Sequence, residues 1–279
     1  MRPQSFYPPR IPSAFMSANW TSEDLMYKLF VEGLKCGVRA FDTAREYKTE
    51  KSIGRALNRA ITEMGIDRKD IFVQSRISNE ELQNRKLEDE IKRSVDNIGM
   101  GYLDCFMFHW PTPNLYIAKW KELADYYFRD NKTIRSIGLC NCRKRHLEGM
   151  KRESVEILPQ IIQVEVQPFW QIKDLKAFCD ENNILVQAFS PLCKMIGPIK
   201  NNLLLNTLAK KYEVSVPQII LKWHLQRGIY PISLTHKVER VKSNYSLDTF
   251  KLSEHDMEEI ATLDCGYKYH LESATCIGF

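Results

Sequence analysis

Gly37-Val-Arg-Ala-Phe-Asp-Thr-Ala-Arg-Glu-Tyr47, followed by Glu50 and Gly54, is the stretch on which the fold turns. Its apolar run Val38 to Phe41 reads as a short buried strand, and Glu50 to Glu63, with Ile53, Leu57 and Ile61 four apart, reads as an amphipathic helix. Asp42 to Tyr47 then lie at the strand's C-terminal end and in the loop before the helix. Parallel α/β folds keep their active sites at such ends, so a carboxylate and a phenol are offered to a cleft. Taken alone, Asp42 reads equally well as a cap or turn residue and Tyr47 as packing.

A second stretch, Tyr102-Leu-Asp-Cys-Phe-Met-Phe-His-Trp-Pro111, ends another apolar strand at His109, and Pro111 keeps His109 from running into a helix. Further strands are expected near Ile71–Ser75, Ser136–Leu139, Ile162–Val166, Leu185–Ala188 and Ile229–Ile232, with an irregular first one near Ile11–Met16. Helical patterns fall between them near Ser22–Cys36, Leu87–Ile98, Tyr116–Phe128, Lys144–Glu153, Lys173–Asn182, Leu203–Tyr212, Pro217–Gln226 and Val238–Tyr245. Thr21 with Asp24, and Ser253 with Asp256, look like capping pairs. Eight βα units close most simply into a (β/α)8 barrel, expected as one domain over residues 1–279. A doubly wound sheet is the alternative, but no Gly-x-Gly-x-x-Gly follows the first strand.

Composition narrows the class further. Hydrophobic residues make up 44% and charged residues 27% of the chain, as in globular proteins, and no run approaches the roughly 20 apolar residues that span a bilayer. The polar, Pro-rich start, Met1-Arg-Pro-Gln-Ser-Phe-Tyr-Pro-Pro9, lacks the apolar core of a secretory signal, so a cytoplasmic protein is expected. The eight cysteines are scattered, and Cys140 and Cys142 have the wrong spacing for redox or zinc chemistry, so they read as structural thiols with no metal site. The net charge of +5 is spread among acidic neighbours. That pattern suits a solvated surface better than a nucleic-acid face.

Six dispersed features together resemble the aldo-keto reductase family. They are the Gly-x-Arg-x-x-Asp-Thr-Ala-x5-Glu-x3-Gly pattern around Asp42, Tyr47, His109-Trp-Pro111, Ile137-Gly-Leu-Cys-Asn141, Gln163-Val-Glu165 and Phe189-Ser-Pro-Leu192, and further on Ile232 to Asn244 resembles the family's adenosine 2′-phosphate segment. The resemblance implies NADPH-dependent reduction of an aldehyde or ketone, with Tyr47 as proton donor, Asp42 as orienting carboxylate and His109 as polarising imidazole. It also implies that Asn141 and Gln163 meet the nicotinamide carboxamide, that Phe189 stacks on the ring, and that Ser190 and Leu192 contact the pyrophosphate. Thr235, Lys237, Arg240 and Asn244 fall in the segment for the adenosine 2′-phosphate, and Trp110 at the substrate. The implied partner is a small carbonyl compound, with neither nucleic acid nor membrane.

The chain leaves the family pattern at Arg76, where a lysine is usual. Bringing a phenol from pKa about 10 to near 7 takes about 4 kcal/mol, roughly what a cation ~4 Å away supplies at an effective dielectric near 20. Arginine carries that charge but tends to grip a carboxylate with two prongs, which leaves its distance from Tyr47 open. Smaller departures are Ser17-Ala18 for Gly-Thr, Cys140 for Ser, Cys193 for Gly and Ser233 for Pro. Two alternatives therefore stand beside the reductase: a redox-inactive nucleotide-binding or regulatory barrel, and a non-redox acid–base enzyme on the same fold.

Overall fold

The computed structural model describes residues 15–17, 21–130 and 132–270. Eight strands run β1 (Phe15–Ser17), β2 (Ala40–Asp42), β3 (Phe72–Ile77), β4 (Cys105–Phe108), β5 (Ile137–Cys140), β6 (Ile161–Glu165), β7 (Leu185–Phe189) and β8 (Ile229–Ser233). Every neighbouring pair is parallel, and β1 returns to pair with β8, so the sheet closes into a barrel in sequence order. The helices are α1 (Glu23–Lys35), α2 (Glu50–Glu63), α3 (Asn79–Asn84), α4 (Leu87–Ile98), α5 (Tyr116–Arg129), α6 (Lys144–Arg152), α7 (Lys173–Glu181), α8 (Gly197–Lys200), α9 (Leu203–Lys211), α10 (Val216–Gln226), α11 (Val238–Tyr245) and α12 (Glu254–Ala261). This is the (β/α)8 barrel expected from the alternation.

Local differences have local causes. Ser22, one residue later than Thr21, caps α1 by accepting from the Leu25 N–H. The Ser253–Asp256 box does open a helix, α12. The short α3 carries only one buried residue, Leu82, so it has almost no apolar periodicity to read. Of the expected first strand, residues 11–14 lie outside the described ones. All seven described cysteines are free. No helix among the described residues is long and apolar enough to cross a membrane.

Two apolar regions hold the molecule together. One lies between strands and helices and includes Leu57, Trp120 and Trp223, all essentially fully buried. The other fills the barrel itself with Ala40, Phe72, Cys105, Met107, Cys140, Ile161, Leu185 and Ile232. Gly54 is required by close approach: a Cβ there would sit 1.9 Å from the Ile98 carbonyl oxygen, so any side chain would push α2 off the end of α4. That contact seats α2, and hence the preceding loop with Tyr47, against the barrel.

Candidate active site

Strand residues two apart share a face, so the barrel's inward positions climb β3 as Phe72, Gln74 and Arg76. The same phase gives Ala40 then Asp42, Ile161 then Gln163, and Leu185 then Gln187. The apolar floor therefore gives way to a polar layer one step towards the strands' C-terminal ends. Gln74 Nε2 donates to Asp42 Oδ1 at 2.6 Å and to Gln187 Oε1 at 2.8 Å, while Gln187 Nε2 returns a 2.8 Å bond to Gln74 Oε1. Gln163 Nε2 donates to Asp42 Oδ1 at 3.0 Å and to Gln187 Oε1 at 3.1 Å.

Arg76 lies on top of this layer. Its two terminal nitrogens hold Asp42 at 3.1 and 3.0 Å, one of them also donates to Gln163 Oε1, and the other donates to the Tyr47 hydroxyl at 2.9 Å. Among the described residues, only its Nε lacks a partner. Burial opposes the guanidinium charge, but Asp42 and Tyr47 outweigh it, and Arg76 stays protonated well above its ordinary range. The geometric worry over arginine is resolved by the fork itself: one tip grips Asp42 on the side away from Tyr47 and the other spans Asp42 and the phenol.

Tyr47 sits in a short turn, Arg45 to Tyr47, between β2 and α2. Arg45 pins that turn with contacts to Glu50 at 3.2 Å, Glu81 at 2.7 Å and Glu90 at 3.0 Å, tying it to three helices. The phenol accepts from Arg76, so its own hydrogen is free to point into the cleft. Its pKa does not fall towards neutrality as the charge estimate anticipated. Burial raises it more than Arg76 lowers it, and Asp42 adds to the rise. The neutral Asp42–Arg76 pair cancels much of the field that a lone cation would exert.

His109 directly follows β4 and lies beside Tyr47, ring centroids 6.5 Å apart at 87°. Its Nδ1 is 3.3 Å from Glu46 Oε2, ion-pair distance but out of line for a hydrogen bond. Asn141 Nδ2 donates to the His109 carbonyl at 2.9 Å, linking the ends of β4 and β5. Asn141 is held at φ 54°, a left-handed conformation that asparagine tolerates better than most residues.

These side chains open into one cleft of about 930 Å³. Its walls include Asp42, Tyr47, Arg76, His109, Trp110, Asn141 and Gln163 at one end, and Phe189, Ser190, Leu192, Thr235, Arg240 and Asn244 further along. Lys237 is the single expected site residue that does not line it; its N–H instead donates to the Thr235 hydroxyl ahead of α11. Both ends of the Gln163 amide are already engaged by Asp42, Gln187 and Arg76. Ser78 caps α3 and does not line the cleft.

Several lining residues escaped the sequence reading. Glu46 was hidden beside Tyr47, and Lys194 and Lys200 add two cations, one in the turn after β7 and one at the end of α8. His270 comes from the C-terminal segment: its Nε2 is 2.9 Å from Ser190 Oγ, and its ring meets Phe189 at 5.5 Å. The buried Glu165 carboxylate holds that segment by accepting from the Tyr269 and His270 N–H groups at 2.7 and 2.8 Å. Gln74 and Gln187 carried a usable signal, since an amide at the inward phase of an otherwise apolar strand needs a polar partner inside the barrel. Glu46 and His270 carried none.

Comparison with known proteins agrees with this geometry. The aldo/keto reductase family model matches residues 15–264. An uncharacterized oxidoreductase, YtbE, of Bacillus subtilis (strain 168) is 36% identical over 82% of this chain and 80% of its own length. A glyoxal reductase of the same organism is 35% identical over 83% of this chain and 80% of its own. The crystal structure of MGS-M4, an aldo-keto reductase from a deep-sea metagenome library, superposes with a TM-score of 0.85 at 28% identity, covering 94% of this chain and 95% of that one. With the barrel closed in family order and Asp42, Tyr47, Arg76 and His109 converging in one cleft, the chain belongs to the aldo/keto reductase family.

Proposed function

We propose that the protein reduces a small aldehyde or ketone to the alcohol with NADPH, Tyr47 giving the proton. The observation that carries this reading is the Arg76–Tyr47 bond of 2.9 Å at the base of the cleft, which fixes the phenol oxygen as an acceptor and leaves its hydrogen for a substrate. The residues along the cleft suit a phosphorylated dinucleotide: an aromatic face at Phe189, a hydroxyl at Ser190, and three cations, Lys194, Lys200 and Arg240, together with Thr235 and Asn244. When bound, NADPH supplies the hydride.

Tyr47 remains protonated at neutral pH, because its pKa is held above the ordinary phenol value. That does not disable it as a donor, since an alkoxide forming on the substrate is a far stronger base than a phenolate. Arg76 steadies the phenolate left behind, and Asp42 with its amide partners keeps Arg76 from turning away. His109 and Trp110 form the wall across which the substrate lies. The B. subtilis relative named glyoxal reductase supports a small, polar carbonyl substrate.

Tyr47→Phe tests the assignment. Carbonyl reduction should vanish while NADPH affinity, followed by tryptophan fluorescence, stays within about twofold, because the ring packs as before and only one hydroxyl is lost. Wild-type protein that binds NADPH yet reduces no aldehyde or ketone in a broad panel would sink the reductase reading and favour the binding-protein alternative.

A further inference from the structure

A second cavity, of about 430 Å³, opens between the starts of α6 and α7, beside the cleft, with which it shares Asn141. Val164, Ile172 and Leu175 line its apolar part, and Trp170 gives it an aromatic wall. Four cations, Arg143, Lys144, Lys173 and Lys268, stand against three carboxylates, Glu165, Asp174 and Asp264. Glu165 already uses both oxygens on the Tyr269 and His270 N–H groups, and Asp264 meets Lys173 only at 3.9 Å. The lining thus keeps an excess of positive charge. Lys268 Nζ lies 5.7 Å from the centre of the Trp170 ring, close enough for the ring's face to attract it. A flat ring laid on Trp170 therefore has a cation at its margin.

One short segment reaches both cavities. Lys268 lines the second, and two residues later His270 lines the cleft, where it covers Ser190 and the edge of Phe189. Glu165 clamps this segment from the wall of the second cavity. Phe189 and Ser190 are the surface proposed for the nicotinamide half of the cofactor, so its arrival requires His270 to leave. A ligand that touches Lys268 gains that contact only while the segment is seated. Two ligands that favour opposite positions of one segment weaken each other by the same factor.

We propose that this second cavity is a regulatory site for small aromatic acids, whose occupancy holds His270 over Ser190 and so opposes cofactor entry. The planar ring lies against Trp170, and its anionic group faces Lys173 and Lys268. A neutral ring of the same size keeps the Trp170 face but loses the charge-assisted contacts. The part that concerns entry rests on the reading of the cleft as an NADPH site. Trp170 and Lys173 do not line the cleft, so both can be changed without touching Asp42, Tyr47, Arg76 or His109.

Two readouts test the proposal, with 2-naphthoate as the probe and 2-naphthylmethanol as its uncharged counterpart. In calorimetric titration of the full chain, naphthoate should bind about tenfold more tightly than the alcohol. Trp170→Ala and the surface change Lys173→Glu should each weaken naphthoate about tenfold, whereas Trp110→Ala, in the cleft, should leave it within about twofold. No binding to the wild type overturns the proposal. So does binding that survives both Trp170→Ala and Lys173→Glu and is lost in Trp110→Ala, which places the acid in the cleft. In stopped-flow, naphthoate at about ten times its Kd should slow NADPH association about tenfold in the wild type, and much less in His270→Ala. An unchanged wild-type rate, or equal slowing in His270→Ala, also overturns it. Should the wild type bind no NADPH, the reading of the cleft fails, and the calorimetry still decides the second cavity.

Discussion

Arg76 holds Asp42 with both tips of its guanidinium, at 3.1 and 3.0 Å, and uses one of those tips a second time to reach Tyr47 at 2.9 Å. Both members of the pair are almost wholly removed from solvent. A lysine has a single charged nitrogen for these tasks, whereas the fork divides them, so orientation of the phenol and neutralisation of the carboxylate are met by one rigid plane.

Replacing Arg76 by Met strands Asp42 as an unpaired buried charge, which should destabilise the protein by about 3–5 kcal/mol in denaturant titration. Reduction should be lost together with that stability. Arg76→Lys keeps the charge and should keep measurable activity, with a shifted pH–rate profile. Wild-type turnover in Arg76→Met would remove Arg76 from the chemistry.

Arg240 lines the cleft beside Thr235 and Asn244, where the 2′-phosphate of NADPH is proposed to lie. Arg240→Ala should weaken NADPH binding by about 1.5–3 kcal/mol and leave NADH nearly unaffected, because a charge-assisted contact is lost only where the phosphate exists. Equal weakening of both cofactors would mean that Arg240 supports the fold of α11 instead.

His270 covers Ser190 and the edge of Phe189, the surface proposed for the nicotinamide half of the cofactor. In His270→Ala, stopped-flow association of NADPH should accelerate about two- to tenfold, the equivalent of one modest hydrogen bond no longer broken on entry. An unaltered association rate would show that the cofactor enters without displacing the C-terminal segment.

Stability should depend on His224, which lies fully buried in α10 against the carbonyls of Ile220 at 2.7 Å and Val166 at 3.0 Å. Burial lowers its pKa from 6.5 to about 4 in the folded protein. Between those values the unfolded chain binds the proton and the folded one does not, so stability falls as the pH drops through that window and the dependence ends below it. The wild type should lose about 3 kcal/mol across the window from this residue, and His224→Gln should remove about one proton's worth of slope from a plot of unfolding free energy against pH. An identical slope in the two proteins would contradict the assignment.

How much of this was legible in the sequence follows from the range of each signal. The strand around Phe41, expected over Val38 to Phe41 and formed by Ala40–Asp42, the helix from Glu50, Gly54 and the residues Asp42, Tyr47, Arg76 and His109 are set by patterns a few residues long, because period-two and period-3.6 burial repeat within a single element. A parallel barrel then brings all strand ends to one face, so the motifs converge without further information. The tertiary structure alone decided which polar groups meet. Gln74 and Gln187 exchange two hydrogen bonds across 113 residues, and His270 reaches Ser190 across 80, contacts that no local periodicity encodes. It also decided the sign of the Tyr47 shift, since burial and the cancelling charge of Asp42 depend on three-dimensional surroundings that a count of nearby cations does not contain.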